Sequence, residues 1–333
     1  MSGQLIEPTS FIQLKTEGFI LMRQLLFIST IILATLFSTA FGSHATSALS
    51  SRHTVEAHDY GVAGRSVTSG VSKWFKGRFT QVSADNENGD GFQTLCAVRT
   101  DRSILCRALR PLNASTVPKG RYDAVSVGAF FECAVMLVSG KAKCWGSDLG
   151  GDATPPPGVF SEISAGGEFA CGLRTMHIAC WGHASPLHGR VRGHYSSLSA
   201  GDGLACAIGN GQRAHCWGEA GTIPRAALRG PFASISASGP AVCGVLTTGR
   251  IRCWGGTPIE RSTPPGQFTQ VSTGLLTACA IRRRGGLARW GASIHGRPNG
   301  RRFRQVTVGN GFACAITTGR RLVCWGDVPD ISG

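Results

Sequence analysis

The chain has 333 residues, of which 42% are hydrophobic and only 16% charged, with 46 glycines and a formal net charge of +15. That apolar content excludes a wholly disordered chain, and glycine without a three-residue period excludes a collagen-like rod. The glycines point instead to many tight turns in a folded, basic protein.

Met22 opens the string MRQLLFISTIILATLFSTAFGSHA, one Arg followed by an apolar run and then small residues. This is the layout of a secretory signal peptide, and the apolar run is short for a membrane span. Residues 22–42 are therefore read as a signal, with cleavage near Ala40, Gly42 or Ala45. Residues 1–21 are read as an upstream extension that is not part of the protein, and residues 43–70 as a flexible lead-in. Folded structure is expected over 71–333.

From Phe79 onward the chain repeats itself. Units begin at Phe79, Tyr122, Phe160, Tyr195, Phe232, Phe268 and Phe303. Each reads aromatic-x-x-(Val/Ile/Leu)-(Ser/Thr), a small or Gly-rich stretch, an apolar strand carrying Cys, a hairpin turn, and a return strand ending Cys-Trp-Gly. Alternation such as Phe312, Cys314, Ile316 and Leu322, Cys324 marks strands. Thr-Thr-Gly-Arg at 247–250 and 317–320, Ser139-Gly140 and Asn210-Gly211 mark hairpins, with Gly supplying the positive φ. Steps of about 35–43 residues suit propeller blades, and no polar capping repeats mark a solenoid. The expected fold is all-β: a seven-bladed β-propeller with a cross-strand disulfide in most blades.

Twelve of the thirteen cysteines fall in pairs within units: Cys96 with Cys106, Cys133 with Cys144, Cys171 with Cys180, Cys206 with Cys216, Cys243 with Cys253 and Cys314 with Cys324. Residues ten apart around a hairpin face each other, within reach of a disulfide. The separations of eleven and nine in units two and three require another turn length or a bulge. Zinc is disfavoured because no Cys-x₂₋₄-Cys pair is present, and buried free thiols suit the cytosol, which a signal peptide argues against. Cys279 is left over, since Arg289 stands at its partner position. It is read as a free thiol, either buried or available for an intermolecular crosslink.

The repeated (Phe/Tyr)-x-x-(Val/Ile)-Ser-Ala-Gly…Cys-(Ala/Gly)-(Leu/Ile)…Cys-Trp-Gly resembles the superfamily of the regulator of chromosome condensation and β-lactamase-inhibitor protein II. Its cysteines are similar to those of plant Crinkly-type receptor kinase ectodomains. The resemblance spans about residues 79–326 and implies a seven-bladed propeller that binds proteins. Two units depart from it: Cys106 is followed by Arg107 rather than Trp-Gly, and unit six lacks its second Cys.

No Gly-x-Ser-x-Gly, His-Glu-x-x-His or phosphate-binding Gly-Lys-Ser/Thr loop is present. No catalytic residue, cofactor or metal site is therefore assigned. His183, His188 and His194 read as crossover residues, with a metal set as the sharper alternative. Charge is more informative. Between Arg261 and Gly326 lie eleven Arg and no Lys, Asp or Glu. Arg282, Arg283, Arg284, Arg301, Arg302, Arg304, Arg320 and Arg321 are the candidate anion- or partner-binding residues, set against a merely solvated face. Unit one carries Asp85, Glu87, Asp90 and Asp101, and ring closure would bring it beside unit seven. Asn113-Ala-Ser115 is a glycosylation sequon.

The reading is a secreted, non-catalytic protein-binding propeller, receptor-ectodomain-like or inhibitor-like. An acidic polysaccharide or anionic surface is a further partner class, and nucleic acid is disfavoured by the signal peptide. The alternatives are a guanine-nucleotide exchange factor or chromatin-binding propeller, and a polysaccharide-binding or polysaccharide-acting propeller.

Overall fold

The computed structural model describes residues 73–85, 93–108, 117–148, 150–183, 185, 190–218, 228–255, 257–292, 294–296, 298 and 300–328. The extension, signal and lead-in expected over 1–70, together with Glu87, Asp90, Asn113 and His188, lie outside them.

The first described strand, β1, is only Lys73–Trp74. Blade 1 then follows as β2 (Phe79–Ala84), β3 (Thr94–Arg99) and β4 (Ile104–Ala108). Blade 2 is β5 (Tyr122–Val127), β6 (Phe131–Met136) and β7 (Ala142–Gly146). Blade 3 has four strands: β8 (Glu162–Ala165), β9 (Phe169–Arg174), β10 (His177–Gly182) and β11 (Arg190–Arg192). Blade 4 is β12 (Tyr195–Ala200), β13 (Leu204–Gly209) and β14 (Ala214–Gly218). Blade 5 is β15 (Phe232–Ser238), β16 (Ala241–Leu246) and β17 (Ile251–Trp254), followed by a one-turn helix, α1, over Pro258–Arg261. Blade 6 is β18 (Phe268–Thr273), β19 (Thr277–Arg282) and β20 (Leu287–Gly291). Blade 7 is β21 (Phe303–Val308), β22 (Phe312–Thr317) and β23 (Leu322–Gly326).

Each blade is an antiparallel meander, and β1 adds to the outer edge of blade 7, with Lys73 opposite Cys324 and Trp74 opposite Val323. The ring is thus closed by the N-terminal strand completing the C-terminal blade. Phe75, directly after β1, is buried between blades 7 and 1 with Phe79, Leu95, Phe312 and Leu322.

The Ser/Thr of the repeat explains how the blades are held together. Each inner strand offers one hydroxyl oxygen to a backbone N–H of the next: Ser83 to Val127, Ser126 to Ala165, Ser164 to Ala200 and Ser199 to Ala237. The series continues with Ser236 to Thr273, Ser272 to Val308 and, across the closure, Thr307 to Ala84. Seven such bonds encircle the axis. They satisfy buried donors that the splay of neighbouring sheets leaves unpaired. Gln81, Gln270 and Gln305 reinforce the circle two residues earlier. Each accepts from and donates to the backbone of one residue in the next blade: Val125, Val306 and Val82 respectively.

The hairpins between second and third strands explain the cysteine spacings. In blades 1, 4, 5, 6 and 7 three residues separate the flanking pair, as between Arg99 and Ser103 or Thr317 and Arg321. Paired cysteines in such blades are ten apart. Blade 2 has a four-residue loop between Met136 and Lys141 and a separation of eleven. Blade 3 turns through two residues, with Arg174 opposite His177, and has a separation of nine. In every case the two cysteines sit directly opposite. Cys96 is bonded to Cys106, Cys133 to Cys144 and Cys171 to Cys180. Cys206 is bonded to Cys216, Cys243 to Cys253 and Cys314 to Cys324. The Cα separations across these six disulfides are 4.0–4.1 Å. The second-strand partner is fully buried in each blade, whereas Cys106, Cys144, Cys180 and Cys216 on the third strands are only half-buried, and Cys253 and Cys324 are buried. The bonds thus tie the core of a blade to its outer part.

One expectation needs correction. Thr-Thr-Gly-Arg was read as one turn with Gly at the positive φ. In blade 5 that holds, with Gly249 at φ 86°. In blade 7 the same four residues sit one position earlier relative to the cysteine, and Arg320 takes the left-handed conformation, φ 63°. The geometry is required because the carbonyl of this residue receives the aromatic N–H of the next blade. Arg320 accepts from Phe79, Arg102 from Tyr122, Gly140 from Phe160, Gly249 from Phe268 and Gly285 from Phe303, each at 2.8 Å.

Candidate anion-binding face

The inner strands run away from these hairpins, so the hairpin loops and the blade starts share one face of the ring. All eight arginines singled out from the sequence are exposed there: Arg282, Arg283 and Arg284 at the blade 6 hairpin, Arg301, Arg302 and Arg304 at the start of blade 7, and Arg320 and Arg321 at its hairpin. Ring closure extends the run with Lys76 and Arg78, which lead from β1 into blade 1.

The eight are not equivalent. The Arg282 guanidinium lies over the Phe268 ring at 5.0 Å and donates to the Pro265 carbonyl at 3.1 Å. Arg174 does the same in blade 3, over Phe160 at 4.5 Å and onto the Pro157 carbonyl at 2.6 Å. Arg282 is therefore partly committed to holding its crossover. Arg301 and Arg321 flank the indole of Trp74, their guanidinium carbons 5.4 and 5.5 Å from its centroid. The remaining five present their charge to solvent on hairpins and blade starts.

Next to Trp74 the face opens into a cleft of about 560 Å³, lined by Trp74, Lys76, Arg78, Arg99, Leu105 and Arg107 among others. Unit one departs from the other blades here. In blades 2–7 the third-strand tryptophan packs toward the preceding blade. Trp181 meets Phe131 and Val135, and Trp325 meets Ile281 and Leu287. Blade 1 has Arg107 at that position, opposite Leu95, and Phe75 packs the wedge toward blade 7 in place of an indole.

Four cations line this cleft, and the Nε of Arg99 is buried with no hydrogen-bond partner. Its one carboxylate, Asp101, is turned onto its own loop. The Ser103 hydroxyl and backbone N–H donate to it at 2.7 and 2.9 Å and hold its carboxyl below the usual range. Asp123 is engaged by Arg102 at 2.7 Å. Asp85 is buried at the opposite end of the β2–β3 ladder from Asp101. These two acidic residues of unit one therefore form no shared patch.

Cys279 is fully buried opposite Arg289, and burial pushes its thiol up to about 12. An intermolecular crosslink at this residue is excluded in the folded blade. His183 donates its backbone N–H to the Asp152 carboxylate. His194 lies beside Tyr195 and His215 in a second cleft. Among the described residues no cluster of His, Cys, Asp or Glu converges as a metal set, and no helix is long and apolar enough to cross a membrane.

Charge counting along the chain missed Lys76, Arg78, Arg99 and Arg107, because they fall outside the acid-free stretch. The readable signal was Arg107 in place of Trp.

Comparison with known proteins places these features. Residues 303–327 match the regulator of chromosome condensation (RCC1) repeat. The CRINKLY WD40 ectodomain of the Arabidopsis thaliana receptor kinase ACR4 is 27% identical with a TM-score of 0.65, over 76% of this chain and 97% of that one. The entire ectodomain of the Physcomitrella patens receptor kinase CR4 is 24% identical with a TM-score of 0.66, over 75% and 74% of the two chains. Yeast Prp20, seen bound to Kap60, shares the fold at 12% identity and a TM-score of 0.53, over 86% of each. The chain is a seven-bladed β-propeller whose last repeat matches the regulator of chromosome condensation repeat, and it is similar to the Crinkly ectodomain of a receptor kinase.

Proposed function

We propose that this protein is a secreted, non-catalytic propeller that binds an acidic protein partner through the hairpin face of blades 6 and 7. The observation that carries the reading is the exposed arginine set on that face, on a disulfide-bonded fold similar to a receptor ectodomain over nearly all of the latter's length. Six within-blade disulfides suit an oxidising compartment. Exposed guanidinium forks suit carboxylates and speed encounter with an acidic surface. The likeness to Prp20 is a likeness of fold, and although guanidinium forks also suit phosphates, the six disulfides argue against an exchange or chromatin role inside the cell.

The test is crosslinking capture of secreted and surface proteins by the oxidised chain, repeated with Arg283→Glu, Arg284→Glu, Arg302→Glu and Arg320→Glu combined. The expected result is at least tenfold weaker capture by this variant, with salt weakening the wild type likewise. Asp202→Asn, on a first-to-second-strand loop at the other end of the blades, should leave capture unchanged. Equal capture by the charge-reversed chain would overturn the reading, as would native protein whose paired cysteines are reduced.

A further inference from the structure

We propose that the cleft between the closing strand and blade 1 is a separate binding site for an acidic oligosaccharide, a sugar chain carrying carboxylates or sulfates. Three independent observations converge on it. First, the cleft of about 560 Å³ falls within the usual ligand-pocket range of about 300–1,000 Å³. Its lining includes Arg107, which stands where the other six blades carry a tryptophan. Second, Lys76, Arg78, Arg99 and Arg107 line it against one carboxylate, Asp101, which is hydrogen-bonded by Ser103 and attracted by Arg99, so three of the four cations lack an acidic partner in the lining. The buried Nε of Arg99 is left without a partner, and an unmet buried donor is costly. Third, Trp74 stands in the lining, 37% exposed as a residue, with two further guanidinium groups held against its indole.

Guanidinium groups engage carboxylates and sulfates through paired N–H donors. An exposed indole offers apolar surface to the C–H face of a sugar ring. A protein partner would need buried aromatic or aliphatic sockets. Beyond the exposed indole, the apolar lining is Leu105 and Phe75, and Phe75 is already buried against blades 7 and 1. The chemistry therefore favours anionic groups spaced along a chain of rings over an acidic peptide. This site adjoins the protein-docking sector and shares Arg301 and Arg321 with its edge, while its variants leave Arg283, Arg284, Arg302 and Arg320 in place.

The experiment is calorimetric titration of the oxidised full chain with a heparin-derived hexasaccharide, with hexagalacturonate and with hexaglutamate. The two sugars separate sulfate from carboxylate recognition, and binding of either supports the site. Arg107→Trp restores the residue type found in the other six blades, and it should weaken sugar binding at least tenfold. Arg283→Ser with Arg284→Ser should change it less than twofold. Should the tryptophan variant fail to fold, Lys76→Gln with Arg78→Gln carries the same tenfold expectation. Undiminished binding in the cleft variants would overturn the proposal. So would hexaglutamate binding as tightly as the sugars, because cation density alone would then explain it.

Discussion

Glu162 is the residue at which the inner circle carries a latent charge. Gln81, Gln270 and Gln305 each pair with both backbone groups of one residue in the next blade. Glu162 occupies the same register in blade 3 and accepts from the Leu198 N–H at 3.4 Å. A carboxylate cannot donate to the neighbouring carbonyl as an amide does, whereas a protonated acid can. Burial pushes its carboxyl up to about 7, against the lowering effect of the Leu198 N–H. A carboxyl raised in the folded state contributes stability that is full below its unfolded value near 4.5 and is lost as pH climbs through about 7. The loss is on the order of 3 kcal/mol at most. Glu132, also raised to about 7 by burial, adds to the same window. Glu162→Gln should therefore stabilise the protein at pH 8 and flatten the fall in melting temperature between pH 5 and 8. Thermal melts across that range check it, and an unchanged pH slope would count against the argument.

At the scale of the element, each blade is a meander pinned at mid-hairpin, and blade 6 alone among the described blades lacks the pin. Its three-residue loop matches those of blades 1, 4, 5 and 7, and Cys279 sits directly opposite Arg289. Arg289→Cys should therefore form a seventh disulfide. The gain is about 3 kcal/mol in the chain-entropy model. It is offset by losing the Arg289 guanidinium's bonds to the Ile294 and Gly296 carbonyls, at about 1.5–3 kcal/mol each for a charged donor. Stability should consequently be unchanged or fall by up to about 3 kcal/mol, while thiol counting under non-reducing denaturation falls from one to zero. A persisting thiol would refute the register. These hairpins were the most legible part of the sequence. The separations between Cys171 and Cys180, Cys206 and Cys216, and Cys133 and Cys144 are nine, ten and eleven. They translate into loops of two, three and four residues, because opposed positions are fixed by the ladder. The position of the left-handed residue in blade 7 was not legible. Gly319 was the expected residue, but the demand comes from the Phe79 N–H of another blade. β1 was equally hidden. Two residues carry no periodicity, and their partners, Val323 and Cys324, lie at the far end of the chain. The cleft shares that fate, since Arg78, Arg99 and Arg107 meet Trp74 only once the ring has closed.

For the whole molecule, the decisive fact is that all six disulfides lie within blades and none joins one blade to another. Oxidation therefore stiffens each unit without locking the ring. Closure rests on the β1–β23 pairing, the Thr307 to Ala84 bond and the burial of Phe75 between blades 7 and 1. Phe75→Ala removes about 3–5 kcal/mol of packing, as large-to-small changes in a core do. Its effect should be localised at the seam. Hydrogen exchange should accelerate first in β1, β2, β21 and β23, while β12–β14 of blade 4, on the far side of the ring, keep wild-type protection, with all six disulfides intact by mass mapping. The same variant should loosen the cleft that the seam creates, so oligosaccharide affinity and seam protection should fall together. Uniform loss of protection around the ring would mean that the blades unfold as one cooperative unit and that β1 is no special latch.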